Sequence, residues 1–221
     1  MLDAKMYLNE LVEALKKTFG DRLVYVGLQG SYLRGEATDS SDIDPMVVID
    51  GLTVSDLKTY RAIVETLPEP DKSCGFLCGR EELSCWNPLE ISHLLHTTRD
   101  IYGVLTALVP AYNERDMRSF IQLSIGNLYH ELCHRYVHGS AEDNRSKLPF
   151  TCKGVFFILQ NLYHLRTGIF CNTKQELLLQ LSGDDLAVLQ LSLQRAPKNA
   201  EDVDAAIALL LGWCRQTLAG L

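Results

Sequence analysis

The spacing of apolar positions changes along the chain, from short runs in the first half to long helical periods in the second. Residues 4–19 repeat apolar side chains every three or four positions, which predicts a helix that ends at Gly20. Short runs with strand composition predict strands at 23–28, 42–49, 74–78 and 101–105. The helical period returns at 54–67 and 80–86, and residues 89–96 fit either state.

After about residue 110 the strand signals fade. Long apolar periods predict helices over 113–137, 150–166, 173–181, 183–195 and 200–218, with a polar loop at Gly139–Asn144. Strands first and helices later indicate the α+β class. We therefore predict an N-terminal α/β domain with a small mixed sheet over residues 1–108, followed by an all-helical bundle over residues 109–221.

Composition narrows the choice of partners. The chain has 221 residues, of which 47% are hydrophobic, and its net charge is -7. We do not expect a nucleic-acid partner, because attraction between phosphates and positive charge dominates the affinity of proteins for nucleic acids. The sequence contains no run of about 18 apolar residues, so we expect no membrane span. The first residues lack the pattern of a signal peptide. The seven cysteines are scattered and odd in number, which favours reduced thiols and a cytoplasmic location.

The strongest chemical signal is a glycine-serine turn followed closely by two aspartates. Gly30 and Ser31 follow the first predicted strand, where glycine lets the backbone approach a phosphate and the N–H groups of a helix start attract anions. Asp42 and Asp44 are separated by one apolar residue, so on a strand both carboxylates would point to the same face. Such a pair is costly without a cation, and Mg²⁺ prefers oxygen ligands that include substrate phosphates.

This segment resembles the nucleotidyltransferase superfamily of the DNA polymerase β type, in its small bacterial branch. The resemblance is carried by Gly30, Ser31, Asp42 and Asp44, together with the short stretch Arg34-Gly35. The order of an α/β half and a helical half is similar to that of the kanamycin and streptomycin adenylyltransferases.

The resemblance implies a two-metal transfer of a nucleoside monophosphate, AMP being the first candidate, from a triphosphate to an acceptor hydroxyl. Asp42 and Asp44 would hold Mg²⁺, and Gly30 and Ser31 would hold the departing phosphates. Arg34 is a candidate phosphate contact or an ordinary loop residue.

Two further roles are expected from the same resemblance. The family adds a third acid on a neighbouring strand, and the predicted strand 74–78 contains none. Glu90 is the first candidate for that acid, and the other candidates are Glu81, Glu82 and, in the helical half, Glu131. Lys153, at the predicted start of an apolar helix, is a candidate contact to the triphosphate.

Three functions remain open at this point. The first is nucleotidylation of a small molecule, with an aminoglycoside-like acceptor as the leading candidate and ATP as the expected co-substrate. The second is a protein-adenylylating enzyme of the toxin–antitoxin type. The third is a non-catalytic nucleotide-binding module, which the missing third acid favours. The sequence identifies neither the acceptor nor the oligomeric state.

Overall fold

The structure is a computed structural model that describes residues 2–193, 197 and 199–221. The chain divides into two compact units, Met1–Tyr112 and Asn113–Leu221. The division falls a few residues beyond the predicted boundary at 108, and the boundary as a limit of independent folding stays a prediction. Strands with flanking helices fill the first unit and helices alone build the second, so the predicted α+β class is confirmed.

A mixed four-stranded sheet forms the centre of the first unit. Its strands are β1 (Leu23–Gln29), β2 (Asp44–Ile49), β3 (Phe76–Gly79) and β4 (Arg99–Tyr102), in the spatial order β3-β2-β1-β4. β1 pairs antiparallel with both β2 and β4, and β2 pairs parallel with β3. The parallel pair requires a crossover connection, which the helix between β2 and β3 supplies.

Helices cover both faces of this sheet. They are α1 (Ala4–Phe19), α2 (Gly30–Arg34), α3 (Val54–Val64), α4 (Arg80–Ser84) and α5 (Pro88–His96). α1 packs its apolar stripe against one face, where Leu11 and Leu15 join Val26 and Val47 in a buried cluster. The residues that alternate with these on the strands point the other way and meet side chains of α4 and α5. β2 is therefore apolar on both faces, as a central strand should be.

The sequence placed most elements of this unit correctly and misplaced their ends. The third and fourth strands are Phe76–Gly79 and Arg99–Tyr102, each shifted by about two residues from its prediction. The ambiguous segment 89–96 is helical. Asn87 accepts a hydrogen bond from the Leu89 N–H and Pro88 occupies the first helical position, and both are signals of a helix start.

The second unit is a bundle of helices in the residues that the structure describes. The helices are α6 (Glu114–His138), α7 (Ala141–Thr167), α8 (Lys174–Leu178), α9 (Gly183–Leu191) and α10 (Ala200–Gly220). α7 lies at the centre, in contact with α6, α9 and α10. Their apolar faces form one buried cluster that includes Ile125, Phe156, Leu189 and Trp213. Within the described residues, no helix combines the length and the apolar character needed to cross a bilayer.

The predicted polar loop at Gly139–Asn144 is confirmed for its first two residues and is wrong from Ala141 onward. α6 continues to His138, and α7 begins at Ala141 after a connection of two residues. Ser140 caps the new helix together with Asp143, and the helix accommodates Pro149 in its interior. The predicted end of the helix 183–195 includes Gln194 and Arg195, which lie outside the described residues, and α9 itself ends at Leu191.

Candidate active site

The glycine-serine turn joins the end of β1 to the start of α2. Gly30 has a φ of 70°, in the left-handed region that favours glycine. A Cβ at Gly30 would overlap the carboxylate of Asp44, so this carboxylate lies directly over the Gly30 backbone. The register of the sheet explains the approach, because Asp44 is the antiparallel partner of Gln29, the residue just before Gly30. The turn and the second aspartate are therefore one structural unit.

The two aspartates are held differently. Asp44 opens β2 and is half-buried, whereas Asp42 is exposed and lies just before the strand. The strand predicted from residue 42 thus begins two residues later. Ile43 between them is fully buried against the face covered by α1, and its backbone N–H donates to the Lys72 carbonyl over 2.9 Å. Alternation directs Asp42 and Asp44 to the side opposite Ile43.

Asp44 shares its face of the sheet with a row of polar groups on β1 and in the segment that leads into β4. Gln29, the cross-strand partner of Asp44, donates its side-chain amide to Thr98 Oγ1 over 2.8 Å. Further along, the buried Tyr25 hydroxyl donates to Asp100 Oδ1 over 2.7 Å. Asp100 is an acid on a strand of this sheet that the sequence reasoning missed, and its carboxylate is engaged by Tyr25.

The expected third acid is not brought to the aspartates. Glu90 lies in the first turn of α5, is exposed, and accepts a hydrogen bond from Trp86 Nε1 over 2.6 Å. Glu81 and Glu82 lie in the first turn of α4, and the Glu82 carboxylate sits over the Gly79 backbone. Within the described ranges no group of three or more histidine, cysteine or acidic side chains is arranged to hold a metal ion. Asp42 and Asp44 remain the candidate oxygen ligands of this site.

Arg34 ends α2 and does not behave as a solvated loop residue. Its side chain is 13% exposed, and its Nε donates to Glu36 Oε2 over 2.9 Å. Gly35 follows in the left-handed conformation and turns the chain back towards Asp42, as the sequence indicated. The pairing with Glu36 offsets the charge that Arg34 would present to a phosphate.

A histidine that the sequence reasoning missed lies near this arginine. Burial, together with smaller contributions from the neighbouring His96 and Arg34 charges, lowers the pKa of His93 to about 4. His93 is therefore neutral at physiological pH. The signal was available in the sequence, since α5 carries His93 and His96 three residues apart, but the segment had no assigned secondary structure.

The predicted residues of the second unit occupy α6 and α7. Lys153 is exposed and lies well inside α7, so the prediction that it opens a helix is wrong. Glu131 is half-exposed on α6 and accepts a hydrogen bond from the Arg135 guanidinium over 2.6 Å. Arg135 is 8% exposed and also donates to Thr151 Oγ1.

Comparison with known proteins gives the class of this fold and site. Residues 8–95 match the model of the nucleotidyltransferase domain family. The matched residues lie within the first unit, and the resemblance to the nucleotidyltransferase superfamily predicted from the glycine-serine turn and the aspartate pair is confirmed.

Two particular proteins resemble the chain. A candidate protein adenylyltransferase from Methanocaldococcus jannaschii, MJ1305, is 32% identical over 71 residues, which cover 31% of this chain and 48% of that protein. The chain thus matches about half the length of this curated relative. The crystal structure of the spectinomycin adenyltransferase AAD(9) from Enterococcus faecialis with ATP and spectinomycin has a TM-score of 0.58 and 16% identity. That match covers 96% of this chain and 100% of the other, and at this identity it demonstrates a shared fold.

Proposed function

We propose that the protein transfers a nucleoside monophosphate, AMP in the first instance, from a nucleoside triphosphate to a hydroxyl of a small-molecule acceptor. The observation that carries the proposal is the seat of the Asp44 carboxylate on the Gly30 backbone. A phosphate bound at the glycine-serine turn would lie within reach of a cation on this carboxylate. The nucleotidyltransferase domain over residues 8–95 supports this assignment.

The residues present fit a bound magnesium ion. Asp42 and Asp44 supply hard oxygen ligands, and Mg²⁺ is commonly held by one or two carboxylates with substrate phosphates and water completing its octahedron. Two aspartates without a third acid therefore meet the requirement once a triphosphate is bound. A bound metal would neutralise charge on the phosphates during an in-line displacement. The part of this chain is to orient the triphosphate, with the Gly30 and Ser31 backbone beside the departing pyrophosphate.

The acceptor is proposed to be a cationic, hydroxyl-bearing molecule of the aminoglycoside type. The net charge of -7 suits such an acceptor, and the spectinomycin adenyltransferase shares the fold. Glu90 accepts a hydrogen bond from Trp86 Nε1, so it is not proposed as the group that accepts the hydroxyl proton. Lys153 is retained as a candidate contact to the triphosphate, to be tested by the effect of Lys153→Ala on the KM for ATP.

The test measures thermal stability and turnover in the same preparations. With MgATP in hundredfold excess over its Kd, binding should stabilise the native protein by about 2.7 kcal/mol. Asp42→Asn, at an exposed position, should leave the stability of the free protein within about 0.5 kcal/mol and abolish this gain. Pyrophosphate release should then depend on the acceptor supplied. Glu90→Gln serves as the matched control and should retain both. An unchanged response to MgATP in Asp42→Asn would refute the proposal.

Adenylylation of a protein is the second candidate, favoured by the similarity to MJ1305. The two candidates differ in the product alone, since both consume ATP at the same site. Incubation with ATP and candidate partner proteins, followed by intact-mass measurement, distinguishes them. A partner mass increased by one adenylate, with no turnover on hydroxylated small molecules, would establish the second candidate and exclude the first.

A further inference from the structure

Three histidines form a line along the exposed side of α6, in the second unit. His130, His134 and His138 follow one another at intervals of four residues, which places them on one face of the helix. All three residues are exposed. Their ring centroids are 5.9 Å apart for His130 and His134, and 4.8 Å apart for His134 and His138. The proposed transfer reaction uses none of them.

The distances between ring centres show which pair of rings is spaced to share a metal ion in the observed arrangement. A metal–nitrogen bond of about 2.1 Å places the ion roughly 3.3 Å from the ring centre, so two ligating rings lie about 4.6 Å apart at a right angle and about 5.3 Å apart at a tetrahedral angle. The His134–His138 pair falls within this interval at 4.8 Å, and the His130–His134 pair lies outside it at 5.9 Å. His130 and His138 are separated by about 12 Å of helix, which excludes one ion held by all three.

The rings of His134 and His138 lie beside an open cavity of about 660 Å³. His130 lines the same cavity, and so do two acids, Asp143 and Glu131. Hydrogen bonds from Ser140 lower the pKa of Asp143, so this carboxylate is ionised at neutral pH. Lys147 and Arg135 line the same cavity, but each is paired, with Asp143 and Glu131 respectively. The free coordination positions of an ion here would open into this cavity.

We infer that His134 and His138 form a binding site for one divalent transition-metal ion, of the class of Zn²⁺, Ni²⁺ or Cu²⁺. Imidazole nitrogen suits these ions, whereas Mg²⁺ prefers the oxygen ligands of the aspartate pair. The chain thus carries two chemically distinct cation sites, one in each unit. Described residues offer no third protein ligand here, in agreement with the absence of a three-residue metal group among them. The remaining positions are therefore left to water or to a small ligand.

Calorimetric titration with Ni²⁺ tests this site, in a background in which the exposed Cys74 and Cys85 are replaced by serine. One Ni²⁺ should bind per chain. His134→Ala and His138→Ala should each weaken binding by at least about tenfold, in keeping with the large losses that follow damage to a metal site. His130→Ala is the matched control on the same helix face and should bind as the parent does. The absorption spectrum should lack a sulfur-to-nickel charge-transfer band.

Any one of three results would overturn the inference. The parent protein could bind no Ni²⁺, all three alanine variants could lose affinity equally, or a sulfur charge-transfer band could assign the ion to a cysteine. The variants lie on an exposed helix face, and circular dichroism verifies their fold. The thermal response to MgATP should persist in His134→Ala, so failure of this site and failure of the proposed transfer reaction are separately detectable.

Discussion

Replacing Gly30 by alanine tests the contact on which the candidate active site depends. A Cβ at Gly30 would meet the Asp44 carboxylate, so the variant must displace this group or move the turn. Gly35 provides a matched control five residues away. Its φ of 69° is nearly the same as that of Gly30, but nothing lies within 4 Å of an added Cβ. Both alanine variants therefore bear the cost of the left-handed backbone conformation, and Gly30→Ala also bears the clash with the Asp44 carboxylate.

The shared cost is that of the left-handed conformation, about 1–2 kcal/mol for a residue other than glycine. A loss of 1 kcal/mol lowers Tm by about 2–4 °C in a chain of this size, so Gly35→Ala should lower it by roughly 2–8 °C. Gly30→Ala should lose at least as much. The discriminating measurement is the stabilisation by saturating MgATP, about 2.7 kcal/mol at a hundredfold excess over Kd.

Gly35→Ala should retain this stabilisation, and Gly30→Ala should lose most of it, because the phosphate seat and the Asp44 carboxylate are disturbed together. Thermal unfolding with and without MgATP, on both variants and the parent, measures the three ligand-induced shifts that the comparison requires. Equal retention in both variants would show that the Asp44–Gly30 contact is irrelevant to nucleotide binding. Equal loss in both would assign the effect to general loosening of the loop.

Three further outcomes follow from the described contacts. Burial depresses the pKa of His93 from 6.5 to about 4, so the unfolded chain binds the proton more readily than the folded chain. The free energy of unfolding should therefore fall by up to roughly 3 kcal/mol as pH drops from 6.5 to 4. Urea unfolding should show this pH-dependent component in the parent and not in His93→Gln. Ile43→Ala should cost about 2–5 kcal/mol in a chemical unfolding experiment, because the side chain is fully buried, whereas Ile43→Val should cost about 0.5–1.5 kcal/mol. Glu131→Ala removes a hydrogen-bond acceptor from the buried Arg135 and should lower the free energy of unfolding by about 1–3 kcal/mol. A loss under about 0.5 kcal/mol, which is typical of exposed ion pairs, would contradict the importance of this contact.

The sequence predicts the part of the candidate site whose residues lie close together along the chain. Gly30, Ser31, Asp42 and Asp44 lie within fifteen residues, and a strand, a tight turn and a second strand are enough to bring them together. The third acid depends on pairing between distant segments. Sequence alone defines no register for β4 and therefore does not single out Asp100. It points to Glu90 only through its position in the chain, just before the apolar Ile91.

The errors in the helical half have a specific physical cause. Residues 139–144 are polar, which favoured a loop, yet Ser140 and Asp143 have the three-residue spacing of a capping box and mark a helix start. Pro149 lies inside this helix, although proline disfavours a helix interior. The helix continues through it because its far half is anchored by buried side chains such as Phe156, and tertiary packing outweighs local propensity.

The two aspartates differ in how firmly the fold fixes them, and this difference bears on how a metal would be held. Asp44 has its place set by the β1–β2 register and by contact with Gly30, so its carboxylate is positioned before any ligand arrives. Asp42 precedes the strand and is exposed, although the neighbouring Ile43 is fully buried. Pre-organised groups lose less entropy on binding than groups that a ligand must order. If Mg²⁺ binds here as proposed, Asp44 would supply the ligand that the fold already positions, and Asp42 would supply the one that binding must order.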